Sequence, residues 1–132
     1  MTNKRNVKES HLRRFIASAF KTCGMPDGHA TRMGELMTEA DIGGQDGHGV
    51  FRLPMYIKRI QAGGMDVDPD IKIISERTAT ALLDGGNGPG HLVMSRAAEI
   101  AVEKAKTSGV AWVGARYSNH AGPAFLLSLI HI

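Results

Sequence analysis

Apolar residues recur at three- and four-residue spacing from the start of the chain, at Leu12, Phe15, Ile16, Ala19, Phe20 and Cys23, and this predicts an amphipathic helix that Gly24 and Pro26 stop. Asp27 is placed to cap a second helix, with Met33, Leu36, Met37 and Ala40 as its buried stripe. A glycine-rich loop is expected over Asp41-Ile42-Gly43-Gly44-Gln45-Asp46-Gly47-His48-Gly49. A third helix follows, with Pro54 in its first turn, Leu53, Tyr56, Ile57 and Ile60 inward, and Gly63-Gly64 at its end.

The pattern changes after Asp66-Val67-Asp68-Pro69-Asp70. Ile71 to Ser75 and Thr78 to Leu83 read as short strands separated by a polar turn. The segment Gly85-Gly86-Asn87-Gly88-Pro89-Gly90 leads into a helix with Met94, Ala97, Ala98, Ala101, Val102 and Ala105 expected inward, capped by Gly109 and followed by a strand over Val110 to Val113. The reading is a mixed α/β chain: a helical domain over residues 1–70, then the start of an α/β domain over 71–132.

Composition narrows the function classes. The 132 residues carry 16 Lys and Arg against 13 Asp and Glu, a net charge of +3 with no concentrated basic face, so nucleic-acid binding is not expected. The single Cys23 excludes an internal disulfide and a multi-cysteine metal site, and suits a reducing compartment. The first ten residues lack the apolar run of a signal peptide, and no window reaches the roughly 18 uncharged residues that span a bilayer, so a cytoplasmic protein without membrane contact is expected.

Three segments carry candidate chemistry. Gly86, Gly88 and Gly90 form G-x-G-x-G with a proline inside, not the G-x-G-x-x-G of a Rossmann phosphate loop, and Arg116 rather than an acid follows the second strand; a turn at the helix start is the plainer reading. His48, Arg52, Tyr56 and Arg59, spaced by 4, 4 and 3, would share one face if a helix began at His48. A guanidinium grips a carboxylate bidentately and an imidazole nearby can protonate the adjacent carbonyl oxygen, as reduction of a 2-oxo acid requires; a solvated helix face with an incidental histidine is the competing reading. Tyr117-Ser118-Asn119-His120-Ala121-Gly122-Pro123 places a second histidine after a strand, with Asn119 available to orient it. His11, His29, His91 and His131 show no metal-ligand spacing, so no metal site is expected, and no serine or cysteine nucleophile motif is present.

Taken together, the run from Ala40 to Tyr56, Asp84-Gly85-Gly86-Asn87-Gly88-Pro89-Gly90 and Ser118-Asn119-His120-Ala121-Gly122 closely resemble the malate/L-lactate dehydrogenase family, which also holds sulfolactate dehydrogenase, ureidoglycolate dehydrogenase and the Δ1-piperideine-2-carboxylate reductases. The resemblance runs from about Phe15 to Gly122. It implies a non-Rossmann fold, a homodimer, NAD or NADP as cofactor and a small 2-oxo or 2-hydroxy acid as substrate. It also implies that His48 or His120 is the acid/base residue, that Arg52 binds the substrate carboxylate, and that His120, Ala121, Gly122, Pro123 and Ala124 lie along the cofactor.

Two positions depart from the family's pattern. Gly47 stands where many members have a serine able to relay a proton, which leaves His48 to be oriented by another group such as Asp46. Ala121 replaces the aromatic that commonly follows the second histidine. Family members are also more than twice this long, so the chain reads as an N-terminal fragment, inactive alone, with a half-built sheet exposed; its segment Leu127 to Ile132 reads as an artefact of cloning or sequence assembly. The competing classes are a noncatalytic helical interaction module, in which His48, His120 and Arg52 are surface residues, and a ligand-responsive regulator; within the family, a cyclic imino acid reductase or ureidoglycolate dehydrogenase is the alternative.

Overall fold

A computed structural model describes residues 6–128. Helices α1 (Glu9–Thr22) and α2 (Asp27–Ile42) lead through two single 3₁₀ turns, Asp46–His48 and Val50–Arg52, into α3 (Leu53–Gln61). Strands β1 (Lys72–Glu76) and β2 (Thr80–Gly88), helix α4 (Gly90–Ser108), strand β3 (Trp112–Ser118) and a short α5 (Phe125–Ser128) follow. β2 is central, antiparallel to β1 and parallel to β3, with Leu83 opposite Ile73 on one side and Ala115 on the other. The parallel pair is joined by α4, the crossover that a parallel pair requires.

The helical core is built from Ile16 and Phe20 of α1, Met33 and Met37 of α2, and Leu53 and Tyr56 of α3. Leu92 of α4 belongs to the same cluster, so the α/β half is packed onto the helical half. A second cluster joins Ala81 and Leu83 of β2 to Ala97 and Ile100 of α4, and Ile71 packs against both. β1 is exposed along its whole length, as are Trp112 and Tyr117 at the two ends of β3. Among the described residues no helix is long and apolar enough to cross a membrane.

Several details differ from the sequence expectation. Phe15 lies outside the buried stripe of α1 and is 61% exposed, because α1 packs through the narrower Ile16–Phe20 ridge. Asp27 is the first residue of α2 rather than its side-chain cap, and its carboxylate pairs with Lys21 at 2.9 Å. The inward face of α4 is carried by Val93, Ala97 and Ile100, with Val102 outside, because that is the face turned to β2. Strand β3 starts later and runs further than Val110 to Val113. Residues 129–132 of the segment expected to be non-native lie outside the described residues.

The glycine segment is not a free loop but the bulged end of β2. Gly86 and Asn87 take positive φ (56° and 57°), the register with β3 shifts between Asp84 and Gly88, and Gly88 is again opposite Ser118. This kink delivers Gly90, the first residue of α4, against the chain leaving β3: a Cβ at Gly90 would run into the Asn119 carbonyl oxygen and meet the His120 carbonyl carbon at 2.6 Å. Both obstacles are backbone and cannot rotate away. Gly90→Ala is therefore expected to destabilise the chain by about 1–3 kcal/mol and to displace the His120 segment. Urea unfolding and the amide resonances of 119–122 would show it, and an unchanged midpoint with unmoved resonances would refute the packing.

Candidate active site

The site residues come from three separate elements. His48 lies in the first 3₁₀ turn, Tyr56 one turn into α3, and His120 in the irregular segment after β3. No continuous helix starts at His48, so the common face expected for His48, Arg52, Tyr56 and Arg59 does not form. Arg59 instead closes the end of α3, its Nε donating to the Gly64 carbonyl at 3.1 Å. Two 3₁₀ turns replace the helix because the Asp41 carboxylate accepts the Val50 N–H at 2.8 Å, tying the start of the second turn back to α2. Asp41 thus holds the start of the second turn in place.

Folding nevertheless brings His48 and His120 together. Their rings stack with centroids 5.3 Å apart and planes at 17°. The hydroxyl of Tyr56 lies 2.6 Å from Nδ1 of His120, and the Gly122 N–H points at the same nitrogen from 3.4 Å. Asn119 does not orient the ring. Its Nδ2 donates to the carbonyls of Asn87 (2.7 Å) and Gly88 (3.1 Å) and so stitches the His120 segment to the end of β2. Arg52 donates through Nε to the Gly47 carbonyl at 2.7 Å, which holds its guanidinium beside the turn that carries His48.

A third imidazole lies beneath this pair. His91, in the first turn of α4, is 1% exposed, stands edge-on to Tyr56 at 5.9 Å and to His120 at 6.3 Å, and among the described residues has no hydrogen-bond partner at either ring nitrogen. The Cα of Gly122 rests against it, since a Cβ there would approach His91 Nε2 to 2.6 Å, and Gly122 adopts φ +79° to do so. His91 was read from the sequence only as lacking metal spacing. Its position directly after the Gly88-Pro89-Gly90 kink was the available signal of a buried helix start.

Electrostatically the site joins one permanent cation, Arg52, to three imidazoles, of which His91 is buried and His120 exposed. Burial first, and then the neighbouring His120 and His48, push His91 down to about 4. Partial burial, then the charges of His48 and Arg52, hold His120 below the usual imidazole value. Burial pushes the Tyr56 phenol up to about 12, against the opposing pull of Arg52. At neutral pH the arrangement therefore offers neutral rings at His91 and His120, an intact Tyr56 phenol and the Arg52 cation. Among the described residues no group of three or more His, Cys, Asp or Glu side chains could hold a metal ion.

The family model described as malate/L-lactate dehydrogenase matches residues 7–129. An L-sulfolactate dehydrogenase of Methanocaldococcus jannaschii is 37% identical over 118 residues, 89% of this chain and 34% of that protein. The solved structure of malate dehydrogenase from Pyrococcus horikoshii superposes with a TM-score of 0.94 at 35% identity, covering 98% of this chain and 37% of that one. A ureidoglycolate dehydrogenase (NAD(+)) of Escherichia coli O157:H7 is 28% identical over 88% of this chain. The chain spans about a third of the length of the curated relatives it matches.

Proposed function

The chain belongs to the malate/L-lactate dehydrogenase family, and from that premise we propose that the protein containing it interconverts 2-oxo acids and 2-hydroxy acids with a nicotinamide cofactor, NAD or NADP. The observation that carries the reading is the stacked His48–His120 pair with the Arg52 guanidinium tied beside it. Arg52 binds the substrate carboxylate, where a planar fork of donors gives both charge and orientation. His48 or His120 exchanges the proton on the substrate oxygen. Positioning these groups around one carbon is the protein's share of the work.

The segment His120 to Ala124 fits a nicotinamide. Its underside is fixed by the Gly122–His91 contact and by Asn119, while Ala121 and Ala124 are too small to obstruct a flat ring lying along the segment. When bound, the cofactor supplies or takes up the hydride. The reading extends to a homodimer in the cytoplasm, with a helical domain over 1–70 and a cofactor domain that begins over 71–132.

The test uses a chain of the relatives' full length containing this segment, with NADH or NADPH and a panel of pyruvate, oxaloacetate and sulfopyruvate, following the absorbance of the reduced nicotinamide. Turnover on one of these acids is expected. Arg52→Ala should lower kcat/KM by roughly 10- to 100-fold, as loss of a charge-assisted hydrogen-bond pair does, and Arg52→Lys should recover only part of it. An Arg52→Ala enzyme as efficient as the parent would place the carboxylate grip elsewhere, and no turnover or nucleotide binding would remove the dehydrogenase reading.

A further inference from the structure

We propose that Tyr56 is the positioning residue that sets the tautomer of His120, and thereby makes His120 rather than His48 the proton donor to the substrate oxygen. The inference rests on the dehydrogenase reading for its role in turnover, but not for the tautomer itself. Two donors converge on one ring nitrogen: the Tyr56 hydroxyl at 2.6 Å and the Gly122 N–H at 3.4 Å both address Nδ1 of His120. A nitrogen that accepts from two donors carries no proton of its own, so the neutral ring bears its hydrogen on Nε2. Among the described residues no hydrogen-bond partner is found for the His48 ring, which stacks on His120.

The chemical consequence depends on the donor being a phenol. Tyr56 is wholly buried, with its ring against Phe20 and His91. Its O–H is intact at neutral pH and its oxygen is committed to His120. When hydride from a dihydronicotinamide reaches the carbonyl carbon of a 2-oxo acid, the electron pair of the C=O π bond moves to oxygen. The Nε2–H bond of His120 breaks as its proton goes to that oxygen, and the Tyr56 O–H bond breaks as its proton goes to Nδ1. The imidazole stays neutral throughout, and the nearby charge of Arg52 favours the phenolate left behind while burial of the ring opposes it. After product leaves, Nε2 of the exposed His120 takes a proton from water and Nδ1 returns its own to the phenolate. The Gly122 N–H alone could fix the tautomer weakly but could not supply this proton.

His91 supports the arrangement from below. It packs against both Tyr56 and Gly122, the two donors, and neither of its ring nitrogens is hydrogen-bonded to them, so both donors stay directed at His120. The charged and titratable groups facing His120 are thus His48 from the 3₁₀ turn, Tyr56 and Arg52 from the α3 side, and His91 from α4.

The deciding measurement is long-range ¹H–¹⁵N correlation of the histidine rings in this 132-residue chain at neutral pH. His120 is expected to show a pyridine-like Nδ1 and a pyrrole-like Nε2, and Tyr56→Phe to move both toward averaged values while the amide spectrum of Ile16, Met33 and Leu83 stays in place. A pyrrole-like Nδ1 in the parent chain overturns the proposal without any variant, and so does an unchanged ring in Tyr56→Phe. In the full-length enzyme, Tyr56→Phe should lower kcat roughly 10²-fold with KM little changed. Tautomer control in an enzyme that turns over none of the acids would leave the Tyr56 assignment standing and remove the substrate reading; the wrong tautomer in an active enzyme would do the reverse.

Discussion

Truncating His120 to alanine in the full-length enzyme is expected to lower kcat by roughly 10²- to 10⁴-fold, the range over which a positioned general acid contributes, with a smaller loss for His48→Ala. Both rings lie at the candidate site, stacked at 5.3 Å. His120 has a side-chain donor on its inner nitrogen, the Tyr56 hydroxyl at 2.6 Å, and among the described residues His48 has none. A ring held this way presents one defined nitrogen to the substrate. His48, lacking a serine before it because position 47 is glycine, has to be oriented by contact with its neighbour. Steady-state kinetics of the two variants on the same acid would decide the matter. A loss confined to His48→Ala would exchange the roles of the two residues, and full turnover in both would remove a histidine from the proton transfer altogether.

The second large effect concerns stability and needs only the chain described here. His91 is neutral in the fold, lowered from near 6.5 to about 4, and Tyr56, His120 and His48 surround it with no carboxylate among them. In the unfolded chain it titrates near 6.5. Below that pH the unfolded state gains a proton that the folded state refuses, so the associated stability is complete above about pH 6.5 and is lost progressively as pH falls toward 4. At about 1.4 kcal/mol per pH unit, the loss amounts to about 3 kcal/mol. Urea unfolding at a series of pH values is expected to show this slope in the parent chain and a much shallower one, left by the likewise lowered His120, in His91→Phe, whatever that variant's absolute stability. The same slope in both would mean that another group governs acid unfolding.

Much of the architecture is legible along the chain because local rules decide it. The stripe Met33, Leu36, Met37 and Ala40 is buried as its spacing requires. Pro54 lies in the first turn of α3, and Gly109 closes α4 in a left-handed conformation at φ 78°. Where the reading failed, the missing information was the neighbour. Which residues of α4 face inward depends on where β2 lies, and the glycine segment becomes the end of β2 because β3 is there to pair with Gly88. The candidate site shows the same division. Periodicity placed His48, Arg52, Tyr56 and Arg59 on a helix beginning at His48, where none begins, yet His48, Arg52 and Tyr56 meet at the site with His120, more than sixty positions along the chain from Tyr56.

The amino-acid order by itself determined the helical first half, the change to mixed α/β character near residue 70, the absence of a Rossmann fingerprint and, through three motifs in series, the family to which the chain belongs. Those properties are written in spacings of a few residues, where sterics and hydrophobic periodicity act directly. Tertiary structure alone decided that Tyr56 meets His120 rather than lining a helix face, that Asp41 pins the Val50 turn that follows His48, and that His91 is buried with no hydrogen-bond partner among the described residues. Each of these depends on how α4 and the segment after β3 close over α3. Hydrogen bonds and desolvation are set by distance in space, and distance in space between remote residues is a product of packing that no local pattern encodes.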